Sequence, residues 1–152
     1  MSRVSSSQPA SEGVGSATDQ YPGQRLGLTE DGPGSVAGWG RRILALAVDW
    51  VASMLVSATF VGGAAWSGQG SQKWVTLLVF LVEASVLTAL LGGSFGQLVT
   101  RVAVVRVDGR PLNPLLVLLR TFLICLVVPP LVFNRDQRGL HDMAAGTITV
   151  KR

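Results

Sequence analysis

The chain has 152 residues, of which 48% are hydrophobic and only 14% are charged, and its formal net charge is +4. Since a soluble domain usually carries about 25% charged residues, this composition indicates a membrane protein. The basic residues lie mostly beside apolar runs, where they fit contact with anionic lipid headgroups, and the absence of a basic stripe with interleaved aromatics argues against nucleic acid as a partner.

Residues 1–38 are polar and rich in glycine, serine and proline. A segment of this composition buries too little apolar surface to fold alone, so it predicts a disordered tail. Within the tail, residues 21–28 combine one aromatic residue with two leucines. This strip is interpreted either as a linker turn or as a segment that lies on the membrane or docks on the helical body.

Three apolar runs follow, at about residues 43–63, 74–91 and 114–133. Each is close to the roughly 20 residues that a helix needs to cross the hydrocarbon core of a bilayer. We therefore predict an all-α membrane protein, a small bundle of about three transmembrane helices. The transmembrane domain is expected over residues 39–150, with a short polar C-terminal tail at its end.

The first run carries a polar and small-residue face. Arg42 and Asp49 are seven positions apart, which places them on one side of a helix. Ala45, Ser53 and Ser57 continue this face with small side chains, so the stripe predicts close approach of another helix.

The segment between the second and third apolar runs does not read as a transmembrane helix. Residues 98–107 are too few and too charged to span a bilayer, and they predict either an interfacial segment or a strand that ends at a turn at Asp108 and Gly109. Near the far end of the third run, Pro129 and Pro130 predict a kink or a stop of that helix.

Each apolar run holds one charged residue, namely Asp49, Glu83 or Arg120. A charge at the bilayer centre costs about 2.5–3.5 kcal/mol on insertion scales, so it usually faces a partner or a water-filled cavity. If all three runs span, these charges lie roughly 9–12 Å from the same membrane surface, at about 1.5 Å of rise per residue. The sequence predicts an intramembrane charge layer in which Arg120 pairs with Asp49, with Glu83 or with both. The alternative is that Arg120 alone reaches the near surface along its long stem.

The distribution of basic residues leaves the topology of the third run open. With three spans the positive charges divide evenly between the two sides, whereas a third run that re-enters or lies in the interface puts nearly all of them on one side. We expect a cytoplasmic N-terminus and leave the side of the C-terminus undecided.

Three spaced motifs resemble the RDD family of bacterial membrane proteins, which is named for one arginine and two aspartates. The spacing of Arg42 and Asp49 is similar to the first-helix pattern of the family, and residues 93–96 with 102–109 are similar to its central glycine turn and strand-like segment. Residues 138–142 resemble its closing motif. The family-motif positions of this chain are Arg42, Asp49, Arg138, His141 and Asp142.

The resemblance implies a multi-pass protein of the bacterial inner membrane, without a settled activity. Residues 21–28 also look like a strip that precedes this domain in actinobacterial members. The chain departs from the family at Gln97, where members often carry a lysine, so no role of that positive charge is expected here.

Two functions are weighed on these features. The first is a membrane adaptor or accessory subunit, with the bilayer and either a homo-oligomer or another membrane protein as partners. The alternative is a cation/proton exchanger, or a subunit of one, with Asp49 and Glu83 as the exchangeable carboxylates. An enzyme, a cofactor and a metal are not expected, because His141 and Asp142 have no second ligand set and metal sites need three or four ligands.

Overall fold

The computed structural model describes residues 21–67, 70–126, 132 and 134–152. In chain order its elements are a 3₁₀ turn at Gln24–Leu26, α1 (Trp39–Val61), α2 (Ala64–Ser67), α3 (Gln72–Leu91), α4 (Phe95–Val99), β1 (Val102–Arg106), α5 (Pro114–Cys125), α6 (Leu140–Ala144) and β2 (Thr147–Lys151). Helix α3 packs against both α1 and α5. The fold is mostly helical, as predicted, and is compatible with a small membrane bundle.

Two helices are long and apolar enough to cross a membrane. They are Trp39–Val61 and Trp74–Leu91, with mean hydropathies of 1.9 and 2.2. Large side chains such as Phe60 and Leu90 point away from the protein, with 73% and 75% of their surface exposed. A soluble helix would bury such residues, so these outer faces fit contact with lipid.

The small-residue stripe of α1 faces inward, as predicted. Ala45, Asp49, Ser53 and Ser57 are its buried residues, and the hydroxyls of Ser57 and Thr76 on α3 are 2.9 Å apart. Small side chains let the two helix backbones approach closely, which replaces the hydrophobic driving force that is missing between helices in lipid.

The third apolar run forms a shorter helix than predicted over the described residues. Helix α5 begins at Pro114, is capped by the side chain of Asn113, and has 12 residues. At about 1.5 Å per residue it is roughly 18 Å long, too short for a hydrocarbon core of about 30 Å. The predicted kink at Pro129 and Pro130 lies outside the described residues.

Strands β1 and β2 form a two-stranded antiparallel sheet in which Val102 pairs with Lys151 and Arg106 pairs with Thr147. The strand interpretation of residues 98–107 is thereby confirmed for Val102–Arg106. The C-terminal segment was expected to be a polar tail, but residues 147–150 are all buried in β2. Both faces of this strand are covered, so its alternating side chains are all sheltered from solvent.

The predicted disorder of residues 1–38 is wrong for residues 21–38, and residues 1–20 lie outside the described part. Val36 forms a bridge to Val150, and the backbone N–H of Lys151 donates to Ser35 at 2.8 Å. The leucines of the strip, Leu26 and Leu28, pack against a small apolar core that contains Ile148 and Val150. This segment cannot fold alone, but the free edge of β2 supplies the backbone partners that it lacks.

We call the layer formed by residues 21–37, α4, the two-stranded sheet and α6 the cap. It covers the start of α1 and the end of α3, since Arg42 donates to the carbonyl of Thr149 and Val104 donates to the carbonyl of Gly92. The cap therefore lies at one end of the helices and holds the residues of the closing motif.

Candidate functional site

Asp142 is the most deeply buried charged residue of the cap. It lies on α6, has no exposed surface, and accepts a hydrogen bond from Arg120 Nε at 2.7 Å. The hydroxyls of Thr147 and Thr149 donate to its two carboxylate oxygens at 3.1 and 3.0 Å. The tight turn from α6 into β2 brings these threonines beside it, so the local chain supplies the neutral donors and α5 supplies the charge.

Two further arginines lie near Asp142, one beside its carboxylate and one on the backbone around it. Arg42 Nη1 lies 3.8 Å from Asp142 Oδ2 and 2.7 Å from the carbonyl of Gln137. Arg138 donates through Nε to the carbonyl of Thr147 at 2.9 Å. We refer to Arg42, Arg120, Arg138, Asp142, Thr147 and Thr149 as the Asp142 cluster. It connects α1, α5, α6 and β2 through one buried anion.

The charges around Asp142 keep its carboxyl group ionised. Burial by itself raises the pKa of this group, because desolvation disfavours the charged form. The attraction of Arg120 and of His141 outweighs that effect, and Arg42 adds to it, so the pKa lies well below its usual range. The cluster is therefore a permanent ion pair at neutral pH.

Asp49 is held by a different kind of contact. It is buried on α1 and accepts from the Ser94 hydroxyl and from the Gly96 backbone N–H, both at 2.5 Å. A Cβ at Gly96 would lie 2.0 Å from the carbonyl oxygen of Ala45, so only glycine fits between α1 and α4. We call Asp49, Ser94 and Gly96 the Asp49 site.

Gln97, the position where the chain departs from the family pattern, has a structural role. Ser94 caps α4, and the Gln97 side chain accepts from the Ser94 backbone N–H at 3.0 Å to complete a capping box. A lysine has no acceptor and could not make this bond. The departure at this position therefore preserves the turn that presents donors to Asp49.

Glu83, on α3, lies at the other side of the α3–α4 turn. Its Oε1 accepts from the Phe95 backbone N–H at 3.2 Å. Its Oε2 is buried and has no hydrogen-bond partner within the described residues. Glu83 thus stabilises the same turn as Asp49 but contacts neither Arg120 nor Asp142 through a described hydrogen bond.

The predicted pairing of Arg120 with Asp49 or Glu83 is wrong. Arg120 forms its ion pair with Asp142, because α6 packs against α5 and places the Asp142 carboxylate beside Arg120. Asp49 already has two donors from the α3–α4 turn, so it does not need a cation. Helix α5 is shorter than a spanning helix, and the acid that pairs with Arg120 lies outside the apolar runs, in the C-terminal segment.

The sequence contained partial signals for this arrangement. The resemblance singled out Arg42, Asp49, Arg138, His141 and Asp142, and the structure brings four of these into or beside the Asp142 cluster, with Asp49 apart. Thr147 and Thr149 were not among the predicted site residues. The alternation of threonine with an apolar residue over residues 147–150 was the sequence signal for β2, the strand that places both threonines beside Asp142.

A cavity of about 220 Å³ lies between α1 and α5, with α3 along its side. Its polar wall includes Arg42, Asp49, Arg120 and His141. Its apolar wall is formed by Trp39, Ile43, Leu46, Phe80, Ala84 and Ile124. Among the described residues no group of three His, Cys, Asp or Glu side chains could hold a metal ion.

The family model described as the RDD family matches residues 36–146, which includes α1, both buried aspartates and Arg120. No curated protein and no solved structure matches the chain.

Proposed function

The chain belongs to the RDD family, a membrane-associated family, and from this premise we propose that it is a non-enzymatic membrane adaptor or accessory subunit. In this proposal α1 and α3 anchor the protein in the bacterial inner membrane, and the cap is the surface that a membrane-protein partner or a second copy of the chain recognises. The bilayer is the other partner, through the exposed apolar faces of both helices.

The observation that carries the proposal is that Asp49, Glu83 and Arg120, the charges inside the three apolar runs, are each bonded to the cap or to the turn that leads into it. Asp49 holds α4 through Ser94 and Gly96, and Arg120 holds α6 through Asp142. Groups committed to such contacts are suited to fixing one arrangement of helices and cap. A rigid polar layer at the end of two anchoring helices is suited to docking.

The distribution of basic residues supports a cytoplasmic cap. The start of α1, the segment after α3 and the C-terminal strand all lie at the cap end, whereas Lys73 is at the opposite end of α3. Cytoplasmic segments near membrane helices carry an excess of lysine and arginine. The basic residues at the cap end include Arg41, Arg42, Arg101, Arg106, Arg110, Arg135, Arg138, Lys151 and Arg152.

The orientation is tested by cysteine accessibility in a Cys125→Ser background. Arg110→Cys places a thiol on the exposed turn of the cap, and Ser71→Cys places one in the exposed segment at the far end of α3. We expect a membrane-impermeant maleimide to label Ser71→Cys in intact cells and Arg110→Cys only in inverted vesicles. Labelling of Arg110→Cys in intact cells would contradict the proposed orientation.

The adaptor role is tested by isolating the full chain from its native membrane in mild detergent. We expect a stoichiometric partner that is lost when the exposed cap arginines are reversed by Arg101→Glu and Arg110→Glu. Phe60→Leu, at the far end of α1, is the matched control and should keep the partner. A chain that functions in its host while co-isolating with no partner and forming no oligomer would contradict the adaptor role.

A specific observation favours the alternative of a cation/proton exchanger. Asp49 lines the cavity, and the buried Oε2 of Glu83 has no described hydrogen-bond partner, so both carboxylates have a feature of an exchange site. In proteoliposomes, sodium-driven proton flux that is lost in Asp49→Asn and in Glu83→Gln would support exchange. Flux equal to that of protein-free vesicles would support the adaptor.

A further inference from the structure

The cavity between α1 and α5 changes from polar to apolar along its length. Arg120 and His141 contact the cap residue Asp142, so they mark the end of the cavity that lies at the cap. Leu46 on α1, Phe80 on α3 and Ile124 on α5 form the apolar part. Leu46 is one turn further from the cap end of α1 than Arg42, so the apolar part extends along the helices into the bilayer.

The polar end has unused capacity to bind an anion. Arg120 is 3% exposed, donates through Nε to Asp142 and through Nη2 to Thr149, and lines the cavity. Its Nη1 has no acceptor within the described residues. Guanidinium groups bind phosphate through several N–H donors in a fixed plane, so a free Nη1 in a cavity is suited to a phosphate oxygen.

The arginines at this end of the cavity also share a single carboxylate partner. Arg42 and Arg120, which both line the cavity, share one ionised carboxylate, that of Asp142. The second carboxylate at the cavity, Asp49, is occupied by Ser94 and Gly96. The two guanidinium groups at the cavity therefore have a single carboxylate between them, and one anionic headgroup would supply a second partner.

We propose that this cavity binds one anionic membrane phospholipid. Its headgroup phosphate accepts from Arg120 Nη1 at the cap end, and one acyl chain lies against Leu46, Phe80 and Ile124. Basic pockets between membrane helices on the cytoplasmic side are known to hold anionic headgroups. The apolar wall favours a lipid over a free anion, because a small ion would leave that wall uncovered. This inference goes beyond the adaptor role and holds whether or not a partner protein exists.

The test uses the full chain, purified in a neutral detergent and examined by native mass spectrometry. The probes are phosphatidylglycerol, phosphatidylcholine and inorganic phosphate. We expect one phosphatidylglycerol to be retained per chain, with phosphatidylcholine retained at least about tenfold less, which corresponds to about 1.4 kcal/mol of binding free energy. Equal retention of the two lipids, or displacement of phosphatidylglycerol by inorganic phosphate, would overturn the proposal.

A cavity-filling variant with a matched control tests the position of the lipid. Leu46→Trp places a larger side chain in the apolar part and leaves the Asp142 cluster intact, so it should lower the retention of phosphatidylglycerol about tenfold, equivalent to about 1.4 kcal/mol. Leu44→Trp makes the same change two positions earlier, on an exposed site outside the cavity, and should retain the lipid as before. Equal retention in both variants would overturn the proposed position.

Arg120→Lys tests the headgroup contact. Lysine keeps the positive charge beside Asp142, but its single amine nitrogen cannot replace both Nε, which bonds Asp142, and Nη1, which is proposed to bind the phosphate. The preference for phosphatidylglycerol over phosphatidylcholine should therefore fall. The melting temperature of the variant is measured in parallel to verify that it is folded. A folded Arg120→Lys chain with an unchanged preference would overturn the assignment of Arg120 as the phosphate contact.

Discussion

Asp49 and Asp142 are both buried carboxylates that join the cap to a helix, but they are stabilised by different chemistry. Asp142 lies among arginines and two threonine hydroxyls, whereas Asp49 accepts from a serine hydroxyl and a backbone N–H. Loss of the Asp142 charge would leave buried cations unbalanced. Loss of the Asp49 charge would leave only neutral donors, so the two sites should differ in how strongly stability depends on the negative charge.

The largest effect is expected from Asp142→Asn, because Arg120 and Arg42 then lose their counter-charge. Removing one partner of a buried ion pair costs about 3–5 kcal/mol, and the free energy of unfolding in detergent should fall by that amount. Chemical denaturation followed by tryptophan fluorescence measures it. Asp108→Asn is the control, since its ion pair with Arg106 lies on an exposed turn and its loss should leave the melting temperature near that of the parent. Equal stability of the two variants would contradict the proposed importance of the cluster.

Gly96→Ala is expected to have the next largest effect, and it addresses the Asp49 site without altering any charge. The added Cβ would lie 2.0 Å from the carbonyl oxygen of Ala45, so α1 and α4 must separate. Overpacking of this kind costs about 1–3 kcal/mol, and we expect the upper end of the range. Gly40→Ala is the matched control on α1, where a Cβ meets nothing within 4 Å. A control that melts below Gly96→Ala would contradict the close-contact explanation.

Asp49→Asn should cost less than Asp142→Asn, because no cation depends on Asp49 through a described ion pair. The amide oxygen can still accept from one donor, so the loss is that of one buried hydrogen bond, about 1–3 kcal/mol. A double-mutant cycle with Ser94→Ala isolates the contact, since residues in one hydrogen-bond network are not additive. A loss as large as that of Asp142→Asn would remove the distinction between the two sites.

The smallest effect is the pH dependence that the Asp142 cluster confers. The pKa of Asp142 is held below that of the unfolded chain, about 3.9, so its contribution to stability is fully present above that pH and is lost as the pH falls below it. The free energy of unfolding should then decline by at most about 1.4 kcal/mol per pH unit for this single group. The comparison is made in an Asp108→Asn background, because Arg106 also lowers the pKa of Asp108, to about 2. Asp142→Asn in that background should show a shallower decline, and an unchanged slope would contradict the linkage.

Local patterns in the sequence were sufficient to predict the two long apolar helices and their inner faces. The length and hydropathy of the first two runs predicted α1 and α3, and the small residues Ala45, Ser53 and Ser57 predicted the packed face of α1. The strand at Val102–Arg106 was one of the two alternatives that local composition and the turn at Gly109 allowed. These features depend on neighbours within a few residues, which the sequence displays directly.

The identity of each charge partner was decided by tertiary structure. Arg120 and Asp142 are 22 positions apart, and β1 pairs with a strand at the far end of the chain. No periodicity links such positions, because the contact depends on where the chain returns after α5. The N-terminal strip is a similar case, since its order comes from the edge of β2. The sequence alone determined that charges on the apolar helices need partners, because isolated charges are costly in lipid. Only the packing of the cap decided that the partner of Arg120 is a C-terminal aspartate and that the partners of Asp49 are a serine and a glycine in a turn.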